Sequence, residues 1–179
     1  MKEYETLVPI GALEKKWRKM KMTLRIAQQA DAQALYDLIL QMATYEKSLD
    51  QMQTTLEQVQ KTICQGQYAH AVLGEVDGKP VAYTVYFFAY STYTGCPTLY
   101  LEDIYIQPAY RGNGFGRQLM IYLAKIAKEK DCQRFDWSCL QWNTSAIGFY
   151  EQLGAERESG RLHFRLQGEG LDRMARMDA

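Results

Sequence analysis

The stretch Gln107–Gly116 reads QPAYRGNGFG and contains three glycines in alternation. A strand-like apolar segment, Leu99–Ile106, precedes it, and a segment with helical apolar periodicity, Arg117–Lys130, follows it. A glycine-rich turn between a strand and a helix presents main-chain N–H groups at the positive end of the helix dipole. Glycine also lets the main chain approach a ligand closely. The stretch therefore predicts a binding site for a phosphate group.

Two common phosphate loops do not fit this stretch. A P-loop requires G-x-x-x-x-G-K-[ST], but Arg117 and Gln118 follow Gly116. A dinucleotide fingerprint that starts at Gly112 requires its third glycine where Arg117 stands. The pattern that remains is [QR]-x-x-G-x-G, which begins at Arg111. On its own it fits either an ordinary loop at a helix start or a pyrophosphate loop of another kind.

The composition limits the function classes. The chain has 179 residues, a length that suits one domain, and its 21 basic and 21 acidic side chains give no electrostatic attraction to nucleic acid or to membranes. No apolar run is long enough for a membrane span, and no signal-peptide core is visible. Four cysteines without a C-x-x-C pair indicate reduced thiols in a cytoplasmic protein. The two histidines lack a second ligand type at metal spacing, so we expect no metal.

The hydrophobic periodicity predicts a mixed α/β fold with one main sheet. The predicted strands are Leu24–Ala27, Tyr68–Val76, Val81–Tyr90, Leu99–Ile106, Phe135–Leu140 and Leu162–Leu166. The predicted helices are Asp31–Tyr45, Thr55–Cys64, Arg117–Lys130 and Ser145–Leu153. Asp77-Gly78 predicts a hairpin turn, and Gly154 a helix end. Residues 1–22 are interpreted as a basic N-terminal extension, and residues 23–179 as the folded domain.

A second motif extends the first. Trp142-Asn143 is followed by Gly148–Ala155, which reads GFYEQLGA. Together the two motifs resemble those of the GNAT acyl-CoA N-acyltransferases. The resemblance covers about residues 23–166. It implies a single mixed, mostly antiparallel sheet with helices on both faces and a splayed central strand, and it implies acetyl-CoA as cofactor.

Four stretches resemble one branch of that superfamily, the spermidine/spermine (diamine) acetyltransferases and the related thialysine enzymes. They are TYEK (Thr44–Lys47), LYLEDIYI (Leu99–Ile106), AYRGNGFG (Ala109–Gly116) and QWN…FY (Gln141–Tyr150). This closer resemblance implies a cytoplasmic homodimer that transfers an acetyl group to a primary amine of a small molecule.

The resemblance also implies which residues hold the cofactor. The pyrophosphate would be bound, mostly by main-chain N–H groups, at Arg111, Gly112, Asn113, Gly114, Phe115, Gly116 and Arg117. The strand before the loop, at Ile104, Tyr105 and Ile106, would bind the thioester carbonyl and the pantetheine amides. Asn143 would contact the pantetheine arm or cap the helix that follows it. Arg111 could add a charge-assisted contact to the pyrophosphate.

The transfer needs a neutral amine and a protonated leaving group. An alkyl ammonium with a pKa near 10.4 is neutral in only about one molecule in 2,500 at pH 7. Glu102 lies at the end of an apolar strand, and the resemblance assigns it the removal of the amine proton through water. Tyr150 resembles the family's general acid for the CoA thiolate. The alternatives are a solvated strand end for Glu102 and a core tyrosine for Tyr150.

The acceptor amine is predicted from acidic residues. Tyr45 and Glu46 match one substrate-side pair of the resembled branch, and Glu102 and Asp103 match a second. By strand alternation, Asp103 lies on the face opposite Glu102 and reaches the substrate only where the strand is bent. A polycation or a single ammonium group is the ligand that such a set of carboxylates would attract.

Two departures from the polyamine pattern keep the substrate open. Ser91 and Tyr93 stand where the polyamine enzymes have Asp and Trp, so one negative charge is missing, although Tyr93 is still expected to contact the substrate. Arg161 replaces a Trp and adds a positive charge. Polyamines and lysine-like amino acids therefore remain equal candidates. A peptide or protein amine, or a catalytically silent acyl-CoA-binding module, stays as the alternative.

Overall fold

The computed structural model describes residues 20–158, 160 and 162–177. Most of the basic extension, and Arg161, therefore lie outside the described residues. The chain divides into two compact units, which meet between Ser138 and Cys139. Each unit is treated by itself below.

The first unit is built on one five-stranded sheet. Its strands are β1 (Thr23–Ile26), β2 (His70–Val76), β3 (Lys79–Ser91), β4 (Cys96–Ile106) and β5 (Arg134–Trp137). Its helices are α1 (Ala32–Tyr45), α2 (Leu56–Val59, continued by a π-turn over Gln60–Cys64) and α3 (Phe115–Glu129). The strands lie in the order β1-β2-β3-β4-β5, and all neighbours are antiparallel except β4 and β5. The predicted mixed, mostly antiparallel sheet is confirmed.

Local sequence explains where two of these elements begin or turn. Thr55 starts α2 with a capping box, because its hydroxyl accepts from the Gln58 N–H while the Gln58 side chain accepts from the Thr55 N–H. Asp77 and Gly78 have φ values of +50° and +73°, the backbone that a two-residue hairpin needs between paired Val76 and Lys79. The predicted hairpin is confirmed, and of Thr54 and Thr55, the two caps that the sequence offers for this helix, the structure uses Thr55.

The helices lie on both faces of the sheet. Leu73 and Tyr83 belong to the core that packs against α1 and α2. Because side chains alternate along a strand, Gly74 faces the other side, and there it meets Met22. The Gln118 side chain of α3 donates to the Met22 carbonyl at 2.9 Å, which places α3 over this second face.

Met22, at the predicted end of the extension, packs against the sheet. It is only 3% exposed, and a Cβ at Gly74 would lie 2.6 Å from its sulfur. A side chain at position 74 would have to displace the Met22 thioether and would lie 3.2 Å from the Ala82 Cβ. Met22 thus packs as part of the first unit, and the boundary at residue 22 stays a prediction.

The central strand β4 separates from β5 halfway along its length. The two strands pair only between residues 98–101 of β4 and residues 134–137 of β5. From Glu102 to Ile106, β4 pairs with β3 alone. Val85 pairs with Asp103 and Tyr86 with Leu101, so Glu102 is the extra residue of a β-bulge. The predicted splay is present, and it starts at this bulge.

The second unit contains α4 (Thr144–Gln152) and α5 (Glu169–Ala175). Asn143 caps α4 by accepting a hydrogen bond from the Ala146 N–H at 3.2 Å. After α4, Gly154 has φ of +86°, and the N–H groups of Gly154 and Ala155 return to the last turn of the helix. This is a Schellman end, as the glycine predicts.

The predicted strand Leu162–Leu166 is wrong, and α5 was not predicted. The segment forms no strand, although Leu162, Phe164 and Leu166 alternate with polar residues. Their exposures are 83%, 85% and 53%, because a strand pattern forms a strand only where a partner edge supplies hydrogen bonds. Within the described ranges no helix is long and apolar enough to cross a membrane.

Candidate active site

The glycine loop leads directly into α3. Gly112 and Gly114 have φ values of +77° and +78°, a region that L side chains rarely adopt. Gly114 is the N-cap of α3 and offers no side chain to the helix, whose first internal hydrogen bond runs from Gln118 to the Gly114 carbonyl. The N–H groups of the first turn are thus directed at a ligand. Asn113 braces the loop by donating to the carbonyls of Tyr110 and Arg111.

A cleft of about 550 Å³ opens beside this loop. It is lined by Met20, Lys21, Met22, Asn113, Gly114, Phe115 and Gln118. Phe115 contributes main chain, since its ring is 3% exposed, whereas Arg117 is exposed on the first turn of α3. The cleft and the N–H groups together fit a pyrophosphate.

Lys21 is a lining residue that sequence reasoning missed. It was assigned to the extension, yet it lines the cleft together with Gly114, and its side chain is exposed. The available signal was its position, two residues before a strand that leads the sheet. A basic side chain there adds positive charge to a site already formed by N–H groups.

A group of acidic and aromatic side chains lies at the start of the splay. The Tyr83 hydroxyl is 3.4 Å from Asp103 Oδ2 and 3.2 Å from the Met42 sulfur. Burial and, after it, the charges of Glu102 and Glu46 raise the pKa of Asp103 to about 7, while the Tyr83 hydrogen bond opposes the rise. Burial also raises the pKa of Glu46. We call Glu46, Tyr83, Glu102 and Asp103 the acidic cluster.

The bulge determines how the two consecutive carboxylates are presented. Glu102 is exposed, whereas Asp103 is half-buried on the face that carries Tyr83 and Tyr105. The bend that Asp103 was expected to need is therefore there. Sequence reasoning missed Tyr83, because a buried tyrosine within an apolar strand has no pattern that separates it from other core residues.

Arg111 lies against aromatic rings. Its Nε donates to the Ile106 carbonyl at 2.9 Å, and its guanidinium carbon is 4.5 Å from the ring centre of Tyr45 and 5.6 Å from that of Tyr105. This is a different contact from the predicted one with the pyrophosphate, which remains a prediction.

The other predicted residues of the first unit lie in the loop between β3 and β4 and at the end of β4. Tyr93 is 94% exposed at the tip of the β3–β4 loop, and the structure places it in no contact with the cluster. Ser91 is buried and accepts a hydrogen bond from the Thr94 N–H, so it shapes the turn. Ile104 and Ile106 are half-buried on the part of β4 that pairs with β3 but no longer with β5.

The second unit carries the two remaining candidates. The Asn143 oxygen caps α4, so this alternative is confirmed, and its amide nitrogen remains a donor for the predicted pantetheine contact. Burial, and secondarily Cys139, raise the pKa of Tyr150 to about 12. Tyr150 is therefore protonated at neutral pH, as a proton donor must be. The described residues contain no group of three or more side chains that could hold a metal.

The fold and the glycine loop define an acyltransferase, and comparison with known proteins identifies the family. Residues 31–155 match the Acetyltransferase (GNAT) family. The chain belongs to this family and is an acetyl-CoA-dependent N-acetyltransferase.

The chain is similar in sequence to known acetyltransferases and in fold to a solved structure. The chain is 34% identical over 164 residues to the thialysine N-epsilon-acetyltransferase of Sus scrofa, covering 85% of this chain and 96% of that protein. It is 31% identical to a human spermidine/spermine N(1)-acetyltransferase-like protein, covering 85% of this chain and 23% of that longer one. A solved integron cassette protein of V. cholerae has the same fold, with a TM-score of 0.76 at 21% identity over 88% of this chain and 99% of that one.

Proposed function

We propose that the chain transfers the acetyl group of acetyl-CoA directly to the side-chain amine of a lysine-like amino acid. The observation that carries the proposal is the acidic cluster, which lies where β4 leaves β5 and one strand before the glycine loop. Carboxylates at this position attract an ammonium group toward the unpaired main chain of β4. The thialysine relatives act on such an amine.

The loop and the strand fit acetyl-CoA. The first-turn N–H groups of α3 and the Lys21 ammonium supply donors for the pyrophosphate. Beyond the splay, the β4 edge that faces away from β3 has main-chain groups between Glu102 and Ile106 for the pantetheine amides. The contact of the Asn143 amide with the pantetheine arm stays a prediction from the sequence. Bound there, acetyl-CoA supplies the activated acyl carbon.

Proton removal is assigned to the acidic cluster. Making an alkyl ammonium neutral at pH 7 costs about 4–5 kcal/mol, so a nearby proton acceptor accelerates the reaction. Glu102 is exposed at the bulge and accepts the proton through water. Asp103 and Glu46 hold the ammonium. Asp103, with a pKa of about 7, is the second candidate for the base, because acceptors with a pKa near the working pH are the most efficient.

Tyr150 is assigned the opposite role. Its hydroxyl stays protonated because burial raises its pKa to about 12. A protonated phenol can donate to the departing thiolate as the acyl carbon is released.

Polyamines are the second candidate substrate. Three carboxylates in one cluster favour more than one positive charge, and the match to a spermidine/spermine-like protein points the same way. The polar Ser91 and Tyr93 supply no further negative charge, which favours a shorter substrate.

A panel of amines tests the proposal. Release of the CoA thiol from acetyl-CoA would be followed with thialysine, lysine, ornithine, spermidine and a lysine-containing peptide. We expect the highest kcat/KM with the lysine analogue. Preference for spermidine would transfer the assignment to polyamines, and preference for the peptide would contradict a small-molecule enzyme. Tight CoA binding with no release by any amine would indicate an acyl-CoA-binding module.

We further propose a cytoplasmic homodimer, which the reduced cysteines and an exposed apolar segment support. None of the four cysteines forms a disulfide. Leu162, Phe164 and Leu166 expose an alternating apolar row without a partner strand in the described chain, and a second copy can supply that strand. Light scattering of Phe164→Asp, with the exposed Glu156→Asp as control, tests this. A wild-type monomer would refute it, and so would a Phe164→Asp variant that remains dimeric.

A further inference from the structure

Two side-chain contacts join the end of α1 to the start of the glycine loop. The Gln107 amide donates to the Gln41 side chain at 3.1 Å. Four residues further along each segment, the Arg111 guanidinium lies 4.5 Å from the ring centre of Tyr45. On a helix, residues four apart lie on one face, so Gln41 and Tyr45 present one contact surface to the loop.

The guanidinium is fixed in position by more than this ring. Arg111 Nε donates to the carbonyl of Ile106, the last residue of β4, and the ring centre of Tyr105 lies 5.6 Å from the guanidinium carbon. A planar cation that contacts two rings and donates one N–H to the main chain has little freedom to rotate. The main chain of Arg111 is extended, with φ of −68° and ψ of 162°, and it leads directly into Gly112. The direction of the loop is thereby linked to the end of α1.

We propose that Tyr45 is a positioning residue for the acetyl-CoA pyrophosphate, which it affects through Arg111. Its ring holds the guanidinium, and the guanidinium sets the course of the main chain from Ile106 into the glycines. This rests on the proposed function, since it assigns Tyr45 to the cofactor side of that site. The same residue was expected from the sequence to contact the amine.

Tyr45 would use different parts of its side chain to position Arg111 and to bind the amine. A cation–π contact needs the ring and not the hydroxyl, so phenylalanine should replace tyrosine. A hydrogen bond from Tyr45 to the amine substrate would instead use the hydroxyl. Arg111→Lys keeps the charge but loses the planar group and the Nε bond, so lysine should not replace arginine.

A double-mutant cycle on CoA binding tests the proposal. Calorimetric titration of CoA, without amine, would compare wild type with Tyr45→Leu, Arg111→Met and the double variant. We expect Tyr45→Leu to weaken CoA binding about three- to tenfold, the range of a partly exposed cation–π contact. The double variant should be no weaker than Arg111→Met, because the contact can be lost only once. Tyr45→Phe should bind as wild type does.

The control is Tyr90→Leu, which removes a ring that is 69% exposed at the end of β3. It should leave the CoA dissociation constant unchanged. The proposal is overturned if Tyr45→Leu binds CoA normally, if the two single effects add, or if Tyr45→Phe raises the KM of the amine while the KM of acetyl-CoA stays constant. Failure of the wild type to bind CoA would overturn the proposed function as well, and so differs from these results.

Discussion

Replacing Asp103 by asparagine should change how stability depends on pH. In the folded protein, burial and the neighbouring Glu46 and Glu102 raise the pKa of Asp103 to about 7, from 3.8 in the unfolded chain. Between these values the folded state binds the proton more tightly than the unfolded state does. The free energy of unfolding therefore falls as the pH rises toward 7, and it stays lower above it.

The size of the effect follows from the width of this window. From pH 5 to pH 7, two pH units at 1.36 kcal/mol each would give about 2.7 kcal/mol, and half-protonation of Asp103 near pH 7 reduces the loss in wild type to about 2 kcal/mol. Asp103→Asn keeps the shape of the protonated carboxyl without the titration, so its stability lacks this contribution. Asn can also accept the Tyr83 hydrogen bond through its amide oxygen. The variant should thus be the more stable protein at pH 8.

Urea unfolding at pH 5, 6, 7 and 8 measures the difference. We expect the gap between variant and wild type to widen by about 2–3 kcal/mol over this range. Glu46→Gln is the companion variant. Removing the Glu46 charge should lower the pKa of Asp103, so the fall in the free energy of unfolding should end at a lower pH than in wild type. Parallel curves for Asp103→Asn and wild type would refute the assigned environment of Asp103, as would a variant that is less stable at pH 8.

Three further results are expected. Lys21→Met should raise the KM of acetyl-CoA about three- to tenfold. It should raise the KM of dephospho-acetyl-CoA by the same factor, because that cofactor lacks the ribose phosphate but keeps the pyrophosphate. Lys128→Met, at the other end of α3, is the control, and an unchanged KM for both cofactors would exclude Lys21 from the cleft. Tyr150→Phe should lower kcat about 100-fold with both KM values unchanged, and a near-normal kcat would remove its acid role. Gly114→Ala should cost about 1–2 kcal/mol in thermal unfolding because φ is +78°, and no loss would contradict that geometry.

The order of elements was predictable as far as it rested on local chemistry. The hairpin at Asp77-Gly78, the Thr55 cap and the Gly154 helix end each depend on residues within a few positions. Leu162–Leu166 failed for the opposite reason. Its alternation is a real strand pattern, but pairing depends on an edge that the sequence does not show.

In the candidate site, too, local features were predictable from the sequence and contacts between distant residues were not. Gly112 and Gly114 have the backbone that their spacing predicts, because a helix start after glycines depends on neighbouring residues. Arg111 was recognised, but its side chain turns toward Tyr45, a residue far earlier in the chain. Tyr83 and Lys21 were missed, since only the packed sheet brings them to Asp103 and to the loop.

The bulge at Glu102 links the fold to the chemistry. In a regular strand, Leu101, Asp103 and Tyr105 would share a face, and an apolar and an acidic side chain would need the same surroundings. The extra residue moves Leu101 into register with Tyr86 and leaves Asp103 beside Tyr83. Two consecutive carboxylates then differ in burial, and carboxyls in different surroundings can take different protonation roles. The bulge at which β4 leaves β5 is thus also the point at which the two carboxylates of the proposed amine site come to differ in exposure.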